Sequence, residues 1–340
     1  MNGDLKLTVT VCLTTRCNLR CRYCYMDARA KGQDISISVI EKIVQMVGRS
    51  SVKRLQITGG EPLLAASKLR FLVKEARSLA PALPISIQTN ATLIDETWAR
   101  FFKTHHIQIG ISLDGPPSVN DSLRGMSNEV LRAITVLQSQ GVPFGITTVV
   151  TSKNLPHLGQ LVFMLAQFKN FLGLGLDFTI RKGRAAGMEE LFPQGELVRQ
   201  GVEGLIEAIN FLAQRERHLF FRELERVRSN KSREPYCDAA SGRSLAVSPE
   251  GRLYPCGQCI GDNQFLLGHI NDLLPLANPL SLLNHRKWAS HPCRNCSAPF
   301  PCPGDCPSRT FYNKHARINA PACIAYKVIS ETLFTSCRLS

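Results

Sequence analysis

The chain has 340 residues, of which 44% are hydrophobic, so length and composition favour a globular protein and exclude a fibrous or disordered chain. Its 41 Lys and Arg residues against 27 Asp and Glu residues give a formal net charge of +14, which at first suggests an acidic or nucleic-acid partner. There is no secretion signal and no apolar run of membrane-spanning length, so we expect a cytoplasmic protein without a membrane partner.

The first half of the chain alternates between β-rich apolar runs and helix-like stretches. Strands are predicted over residues 5–12, 54–58, 84–89, 107–113, 144–150 and 174–180, and helices over 36–49, 66–80, 95–104, 128–140 and 155–168. Six strands that alternate with helices predict βα units and a parallel sheet. The near-continuous apolar character of the strands predicts burial on both faces. Residues 181–195 are predicted to form a loop, followed by one helix over 196–228.

The cysteines divide the chain into two parts. Of the 13 cysteines, four precede residue 25 and nine lie from residue 237 onward. Without a secretion signal, metal binding is favoured over disulfides. The last hundred residues are rich in Cys, Pro and Gly and have weak periodicity, so we expect metal to hold them together. The predicted domains are therefore 1–230 and 231–340.

The first cysteine motif is C-x3-C-x2-C, formed by Cys17, Cys21 and Cys24 in the loop after the first strand. In a parallel α/β barrel this loop lies at the C-terminal face, where active sites collect. Three thiolates fit a four-iron cluster with one iron open to a ligand. They also fit a zinc site whose fourth ligand lies elsewhere, and the spacing alone leaves both alternatives open.

Polar groups follow three further strands. They are "TGGEP" at residues 58–62, "QTN" at 88–90, and "SLDG" at 112–115 with Arg124 close behind. Each could be a simple turn. In a barrel, however, the ends of parallel strands converge on one mouth, and Gly59 and Gly60 would let the backbone approach a ligand closely.

The segments C17-x3-C21-x-Y23-C24 and G59-G60-E61-P62 resemble those of the radical S-adenosylmethionine (SAM) enzymes. The resemblance implies an α/β fold with a partial (β/α)6 TIM-type barrel. It also implies a [4Fe–4S] cluster on Cys17, Cys21 and Cys24 whose open iron binds SAM. The reduced cluster would cleave SAM to a 5′-deoxyadenosyl radical, with electrons from a reductant such as flavodoxin or ferredoxin. The implied SAM contacts are Tyr23 near the adenine, Gly59, Gly60, Glu61, Asn90, Ser112, and Arg124 on the SAM carboxylate.

The C-terminal cysteines resemble the SPASM extension of radical SAM proteins, a Cys-rich domain with two auxiliary [4Fe–4S] clusters. The implied distal ligands are Cys293, Cys296, Cys302 and Cys323, and the implied proximal ligands are Cys237, Cys256 and Cys306. Cys259 is our candidate for the fourth proximal ligand, and an open site for substrate is the alternative. A zinc ribbon is the alternative for the whole region. Three clusters would lower the net charge to about +9, which weakens the case for nucleic acid. Residues 244–256 are predicted to form a hairpin.

The stretches "IQTNATLIDETWARFF" and "GISLDGPPSVNDSLRG" resemble anaerobic sulfatase-maturating enzymes and ribosomal-peptide maturases. The resemblance implies an oxidoreductase that modifies a peptide, such as a ribosomal precursor, by cross-linking, oxidation or epimerisation. The alternatives are a formylglycine-forming maturase, a radical dehydrogenase of a small molecule, and a non-catalytic iron–sulfur or zinc protein. Gly257 stands where sulfatase maturases have an aspartate. Asp177 is expected to point into the barrel, either as a base or substrate-orienting group or in a buried structural role.

Overall fold

The computed structural model describes residues 6–49, 51–229, 236–272, 283, 302, 304–313 and 320–336. The strands in these residues are β1 (Leu7–Cys12), β2 (Val52–Thr58), β3 (Ile85–Thr89), β4 (Ile107–Ser112), β5 (Phe144–Val150), β6 (Phe171–Phe178), β7 (Phe220–Phe221), β8 (Ser244–Val247), β9 (Arg252–Tyr254) and β10 (Gly268–His269). The helices are α1 (Ile37–Gly48), α2 (Ala66–Leu79), α3 (Glu96–Thr104), α4 (Pro117–Leu123), α5 (Ser127–Ser139), α6 (Leu158–Ala166), α7 (Gly195–Ala213), α8 (Arg222–Arg228), α9 (Pro307–Tyr312) and α10 (Pro321–Ser336).

These strands form one sheet in the order β10-β9-β8-β1-β2-β3-β4-β5-β6-β7. From β8 through β7 each neighbouring pair is parallel, which confirms the predicted parallel α/β sheet. The six predicted strands are β1 to β6. Because β10 and β7 end the order, the sheet made by the described residues is open, as in a partial barrel. The carboxyl ends of β1 to β6 therefore share one edge.

Side-chain caps set the start of two of the outer helices. The Ser36 side chain accepts a hydrogen bond from the Val39 amide at the start of α1, and Asp95 accepts one from the Trp98 amide at 2.8 Å at the start of α3. Each cap pairs an amide that the helix itself leaves unpaired. Both helices bury their apolar faces against the sheet.

The inner face of the sheet is polar, so the prediction of strands buried on both faces was wrong. In β3, Ile85 is buried in the apolar core, whereas Ser86 beside it borders a cavity. One row of such inward side chains crosses four neighbouring strands: Thr10, Gln56, Ser86 and Gln108. Thr is polar but is also common in strands, which makes this alternation weak in the sequence. The barrel interior is therefore a cavity rather than a packed core.

The hairpin predicted in the C-terminal part is present as β8 and β9, which pair antiparallel. Its turn contains Gly251 at φ 86°, a left-handed conformation that favours glycine. β8 also pairs in parallel with β1, with Ser244 opposite Thr8. The hairpin therefore extends the barrel sheet and carries the flanking Cys256 against β1.

The helix predicted over 196–228 is two helices, α7 and α8, so that prediction was wrong. Glu216 has φ 62°, a left-handed conformation that a helix does not accommodate. Phe220 and Phe221 then form β7, with Phe220 opposite Gly173 of β6. This pairing satisfies backbone groups along the edge of β6, and the tertiary contact outweighs local helix propensity.

The C-terminal helix α10 packs on α7 and α8. Arg199 of α7 forms an ion pair with Glu331 of α10 at 2.9 Å, and Arg226 of α8 donates to the hydroxyl of buried Tyr326 at 3.2 Å. These contacts attach the last described segment to the barrel. In the part of the chain that the structure describes, no helix is long and apolar enough to cross a membrane.

Candidate functional site

Cys17, Cys21 and Cys24 lie together in the loop after β1, at the carboxyl edge of the sheet, as expected. The Cys17 amide donates to the Arg29 carbonyl at 2.7 Å, and the Cys24 amide donates to the Cys21 carbonyl at 3.3 Å. Cys17 and Cys21 are buried, Cys24 is half-buried, and all three border one cavity. Burial raises the pKa of Cys17 to about 11 and also raises the pKa of Cys21, so these thiols must release protons when they bind metal.

Gly59 and Gly60 bring the end of β2 against this loop. The Gly60 amide donates to the Thr14 carbonyl at 2.7 Å, and the Glu61 amide donates to the Arg16 carbonyl at 2.8 Å. A Cβ at Gly59 would lie 2.6 Å from the Thr14 carbonyl oxygen, and one at Gly60 would overlap the carbonyl oxygen of Arg16. Packing against the loop therefore requires both glycines. Both also border the cavity, and their contact with SAM stays a prediction.

The carboxylate of Glu61 is fully buried and accepts three hydrogen bonds from within the protein. Its Oε1 accepts from the Thr89 hydroxyl at 2.7 Å and from the Leu63 amide at 3.1 Å, while Oε2 accepts from the Asn90 amide at 2.7 Å. Burial raises the pKa of Glu61 to about 7, and the three donors act in the opposite direction. The side chain joins the ends of β2 and β3, and both of its oxygens already accept hydrogen bonds. If Glu61 contacts SAM, the contact would therefore come from its backbone.

Tyr23, Asp114 and Arg124 form a buried group beside the cysteine loop. The Tyr23 hydroxyl donates to the Asp114 carboxylate, and Arg124 Nε donates to the same carboxylate at 2.8 Å. The Arg124 guanidinium lies 5.2 Å from the Tyr23 ring centroid, and its Nη1 lies 3.8 Å from Cys21 Sγ. Asp114 is completely buried, so its charge needs these partners. Tyr23 and Arg124 border the cavity, and their adenine and carboxylate contacts stay predictions.

Asn90 and Ser112 border the cavity at the ends of β3 and β4. The Asn90 side-chain amide donates to Asn18 Oδ1 at 2.9 Å and lies 3.9 Å from Cys17 Sγ. The Ser112 hydroxyl accepts from Gln88 at 2.9 Å. The structure thus places an amide and a hydroxyl beside the three-cysteine loop, and their predicted role in holding SAM stays a prediction.

A second cysteine group borders the same cavity from the C-terminal side through Cys237, Cys256 and Cys306. Cys259 is fully buried behind them, and its amide donates to the Cys256 carbonyl at 3.0 Å. The Cys306 thiol lies 3.1 Å from the Ser308 hydroxyl. A hydrogen bond from the Cys259 thiol lowers the pKa of Cys256 to about 7 and raises the pKa of Cys259. The structure therefore brings together the four cysteines named for the proximal cluster.

The distal cysteine set is only partly described. Cys293 and Cys296 lie outside the described residues. Cys302 Sγ accepts from the Gly304 amide at 3.4 Å, and Cys323 is half-buried in the first turn of α10. The distal ligand set therefore stays a prediction.

The cavity that joins the two cysteine groups has a volume of about 740 Å³. This size is typical of cofactor and ligand sites in proteins. The charged residues that border it in the described part of the chain are Arg54, Arg124, Arg184, Arg222, Asp177 and Asp238. Three of these arginines already pair with carboxylates: Arg124 with Asp114, Arg184 with Asp27 and Arg222 with Glu223.

Asp177 points into the cavity from β6, as the strand register predicts. Its Oδ1 accepts from Arg222 at 3.1 Å, and its side chain is 44% exposed. The buried Glu223 holds Arg222 through a 2.7 Å ion pair and accepts from the Leu176 amide at 2.9 Å. A Cβ at Gly175 would lie 2.7 Å from Arg222 Cζ, so this glycine leaves the space that the guanidinium occupies.

Asp238 borders the same cavity but has both carboxylate oxygens occupied. Oδ2 accepts from the Thr8 hydroxyl at 2.6 Å, and Oδ1 accepts from Lys53 at 2.8 Å. Burial opposes ionisation, but these partners lower the pKa of Asp238 overall. By contrast, Asp177 Oδ2 makes no hydrogen bond to the residues that the structure describes. Asp177 is therefore the cavity carboxylate with an oxygen available to a ligand.

Sequence reasoning missed several residues of the site. Asp114 lies in the "SLDG" segment expected at the barrel mouth, but its role in anchoring Tyr23 and Arg124 was not predicted. Arg184 lies in the segment predicted as a loop, yet its Nε donates to the Cys21 carbonyl at 2.8 Å. Glu223 lies in a stretch predicted to be part of one continuous helix. The sequence carries no signal for these roles, because each depends on a contact with a distant segment.

The donor chemistry of both cysteine groups fits iron–sulfur clusters. Cysteine thiolates are the usual ligands of four-iron clusters, and each thiolate binds a different iron. Tetrahedral zinc instead needs its ligands to converge on one point. Within the described residues, no three or more His, Cys, Asp or Glu side chains are grouped so that they could hold a single metal ion. Three thiolates beside an open cavity fit a cluster that keeps one iron free for a ligand.

The profile of the radical SAM superfamily matches residues 11–165. A protein of Methanocaldococcus jannaschii, described as uncharacterized protein MJ0907, is 32% identical over 270 residues, which cover 76% of this chain and 87% of that protein. The chain belongs to the radical SAM superfamily and is an enzyme of that class. The cofactors implied by this membership are SAM and a four-iron cluster.

Maturases are among the similar proteins. The serine-type anaerobic sulfatase-maturating enzyme of Klebsiella aerogenes is 26% identical over 327 residues, which cover 86% of this chain and 77% of that enzyme. The structure of native anSMEcpe with bound AdoMet and Cp18Cys peptide superposes with a TM-score of 0.78 at 24% identity, covering 97% of each chain. Streptococcus suis SuiB bound to precursor peptide SuiA gives a TM-score of 0.69 at 17% identity, covering 93% of this chain and 74% of SuiB. These superpositions confirm the predicted α/β partial-barrel fold, and the SPASM domain stays a prediction.

We expect Glu61→Gln to destabilise the folded protein by about 1–3 kcal/mol at about pH 6, because the new amide nitrogen would face a donor and leave it unpaired in a buried site. The difference should shrink as the pH rises from about 6 through about 7, because the pKa of Glu61 is raised to about 7 and the wild-type protein loses stability until this buried carboxyl has ionised. Thermal unfolding of the anaerobically purified protein measures the effect. Glu41→Gln, at an exposed position on α1, is the matched control and should change stability by less than about 0.5 kcal/mol. Equal stability of the two variants would contradict the role assigned to Glu61.

Proposed function

We propose that the protein is a radical SAM peptide maturase with two auxiliary iron–sulfur clusters in a SPASM domain. The observation that carries the proposal is that two separate cysteine groups border a single cavity. One group is at the mouth of the barrel, and the other is brought to β1 by the hairpin. A substrate in this cavity would lie between them.

Cys17, Cys21 and Cys24 would hold the first cluster, and the residues around them would hold SAM. When bound, the cluster and SAM supply a radical that removes a hydrogen atom from an unreactive C–H bond. The protein holds the reactants in place and limits access of water to them. Asp114 would fix the orientation of the Arg124 guanidinium, whose remaining N–H groups could donate two hydrogen bonds to the SAM carboxylate.

The second group would hold the proximal auxiliary cluster through Cys237, Cys256, Cys306 and Cys259. The burial of Cys259 behind the other three supports full ligation by protein, because a fully buried thiol is shielded from exchange with a substrate. Cys293, Cys296, Cys302 and Cys323 would hold the distal cluster. Such a chain carries three clusters, and residues 231–340 form the domain that binds two of them.

The substrate that we propose is a peptide, such as a ribosomal precursor peptide. Support comes from the similarity to a sulfatase-maturating enzyme and from the fold shared with proteins crystallised with peptides. The modification would be an oxidation, a cross-link or an epimerisation. One-electron reduction requires a donor, and a flavodoxin or ferredoxin in the cytoplasm would supply it.

Asp177 would face the peptide. Its Oδ1 accepts a hydrogen bond from Arg222, and its other oxygen can accept a proton or a hydrogen bond from the substrate. The support of Arg222 by Glu223 fixes this carboxylate in one place, as a substrate-orienting group requires.

Formylglycine formation is the second candidate function. It is favoured by the similarity to the Klebsiella aerogenes enzyme over most of both chains. The residue after Cys256 is Gly257, so the aspartate expected there in sulfatase maturases is missing. Asp177 would then have to supply the carboxylate from the opposite wall of the cavity.

After anaerobic reconstitution we expect about 12 Fe per chain, and replacement of Cys17, Cys21 and Cys24 by Ala should lower this to about 8. The same replacement should abolish reductive SAM cleavage, because the remaining clusters have no site for SAM. Iron analysis and chromatography of SAM products measure both. Stoichiometric zinc with little iron, or SAM cleavage by the triple variant, would contradict the proposal.

We expect Asp177→Asn to lower product formation by about 10- to 100-fold, because it removes a charge-assisted contact to the substrate. SAM cleavage should remain. The measurement uses a peptide that the wild-type protein modifies, found by mass spectrometry in a library of Cys- and Ser-containing peptides. Asp238→Asn is the matched control, since this second cavity carboxylate is already occupied, and it should retain activity within about threefold. A larger loss in Asp238→Asn than in Asp177→Asn would reverse the assignment.

A further inference from the structure

The segment that follows β6 contacts both cysteine groups. It reads "TIRKGR" over residues 179–184 and leads into a short 3-10 turn, Gly183–Gly187. The sequence predicts the end of a strand at residue 180 and a loop from residue 181 onward. In the structure, its successive residues bond to backbone carbonyls of two different cysteine-bearing segments.

On one side, Lys182 holds the turn that contains Cys259. Its Nζ donates to the Gln258 carbonyl at 2.6 Å and to the Ile260 carbonyl at 2.9 Å. These two residues flank Cys259. The ammonium group also lies 5.1 Å from the ring centroid of Tyr312, and it is half-buried. One side chain therefore fixes the backbone on both sides of a buried thiol.

On the other side, Arg184 holds the three-cysteine loop. Its Nε donates to the Cys21 carbonyl at 2.8 Å, and its backbone amide donates to the Cys24 carbonyl at 3.0 Å. Its Nη1 also pairs with Asp27 at 2.8 Å. Two backbone carbonyls of the irregular loop thus accept hydrogen bonds from a single residue.

Gly183 sits between these two contacts and allows both. It has φ 59°, a left-handed conformation that glycine adopts without strain. A Cβ on this residue would overlap the Cys24 carbonyl oxygen and lie 2.6 Å from the Tyr25 carbonyl oxygen. Any side chain here would push the segment away from the three-cysteine loop.

The segment also forms hydrogen bonds with the end of α9, the helix that follows Cys306. The Arg181 amide donates to Asn313 Oδ1 at 2.8 Å, and the Asn313 side-chain amide donates to the Thr179 carbonyl at 3.2 Å. Asn313 caps α9, which begins at Pro307 directly after the cysteine. A second cysteine of the auxiliary group is therefore tied to the same segment.

We propose that Lys182, Gly183 and Arg184 form a spacer that sets the separation and orientation of the two cysteine groups. These are positioning residues, since they contact the cysteine-bearing backbone and not the reacting atoms. The proposal rests on the proposed function in so far as both groups hold clusters. The hydrogen bonds that hold each cysteine turn come from separate residues of one segment, and this arrangement does not depend on which metal the two groups bind.

The spacer predicts a separable pattern of effects. Lys182→Met should loosen the Cys259 turn and leave the three-cysteine loop intact, and Arg184→Met should do the reverse. Gly183→Ala should disturb both groups. The matched controls are Gly187→Ala, where a Cβ meets open space in the same loop, and Lys169→Met, at an exposed lysine.

The first measurement uses the full-length reconstituted protein and the EPR spectrum of its reduced clusters, recorded with and without SAM. Lys182→Met should lower iron from about 12 to about 8 per chain and keep the SAM-dependent change of the spectrum. Arg184→Met should keep the auxiliary signals and lose that change. Gly183→Ala should alter both, and the two controls neither. A Gly183→Ala spectrum identical to that of Gly187→Ala would overturn the proposal.

The second measurement does not depend on which metal is bound, so it separates failure of the spacer from failure of the proposed function. Backbone hydrogen exchange of the full chain, with its metal in place, is followed by mass spectrometry. Lys182→Met should speed exchange in the peptide that contains Cys259 by about tenfold or more, because losing two hydrogen bonds to this turn favours its local opening. The peptide that contains Cys12, buried in β1, reports general unfolding and should exchange at the wild-type rate. Unchanged exchange at Cys259, or equal acceleration at Cys12, would contradict the spacer.

Discussion

The structure depends on one constraint: the buried loop that carries the first three cysteines has no regular secondary structure, so its backbone groups need partners from elsewhere. On one side, the amides of Gly60 and Glu61 donate hydrogen bonds to the carbonyls of Thr14 and Arg16. On the other side, Arg184 donates hydrogen bonds to the carbonyls of Cys21 and Cys24. The loop is therefore held between the end of β2 and the segment after β6. Hydrogen bonds on both sides therefore position the backbone that carries the three thiols.

Charged side chains along the cavity wall also have partners from other segments of the chain. Arg124 is paired with Asp114, Arg222 with Glu223, and Asp238 with Lys53, so the ionised groups along the cavity wall have nearby partners. Buried pairs of this kind add little net stability, but removing one partner is costly. Their value here is that they hold side chains in place beside the reactants. Asp177 differs because only one of its oxygens is committed, and this difference singles it out among the acidic residues of the cavity.

The outline of the fold and of the first site could be predicted from the sequence, because both rest on local patterns. Apolar β-rich runs and their spacing located β1 to β6, and the C-x3-C-x2-C spacing located the cysteine loop. The break at Glu216 could not be predicted, because the pairing of Phe220 with β6 outweighs helix propensity. The polar inner face was missed because Thr suits strands as well as cavities. The role of Lys182 could not be predicted, since its partners lie some 75 residues further along the chain.

We propose that the two cysteine groups hold iron on opposite sides of one cavity. Anomalous diffraction at the iron absorption edge, from an anaerobically grown crystal of the full chain, tests this directly. We expect one iron peak at Cys17, Cys21 and Cys24, with one iron not bound by protein. We expect a second peak bound by Cys237, Cys256, Cys259 and Cys306. Iron at the first group alone, or zinc at the second, would contradict this proposal.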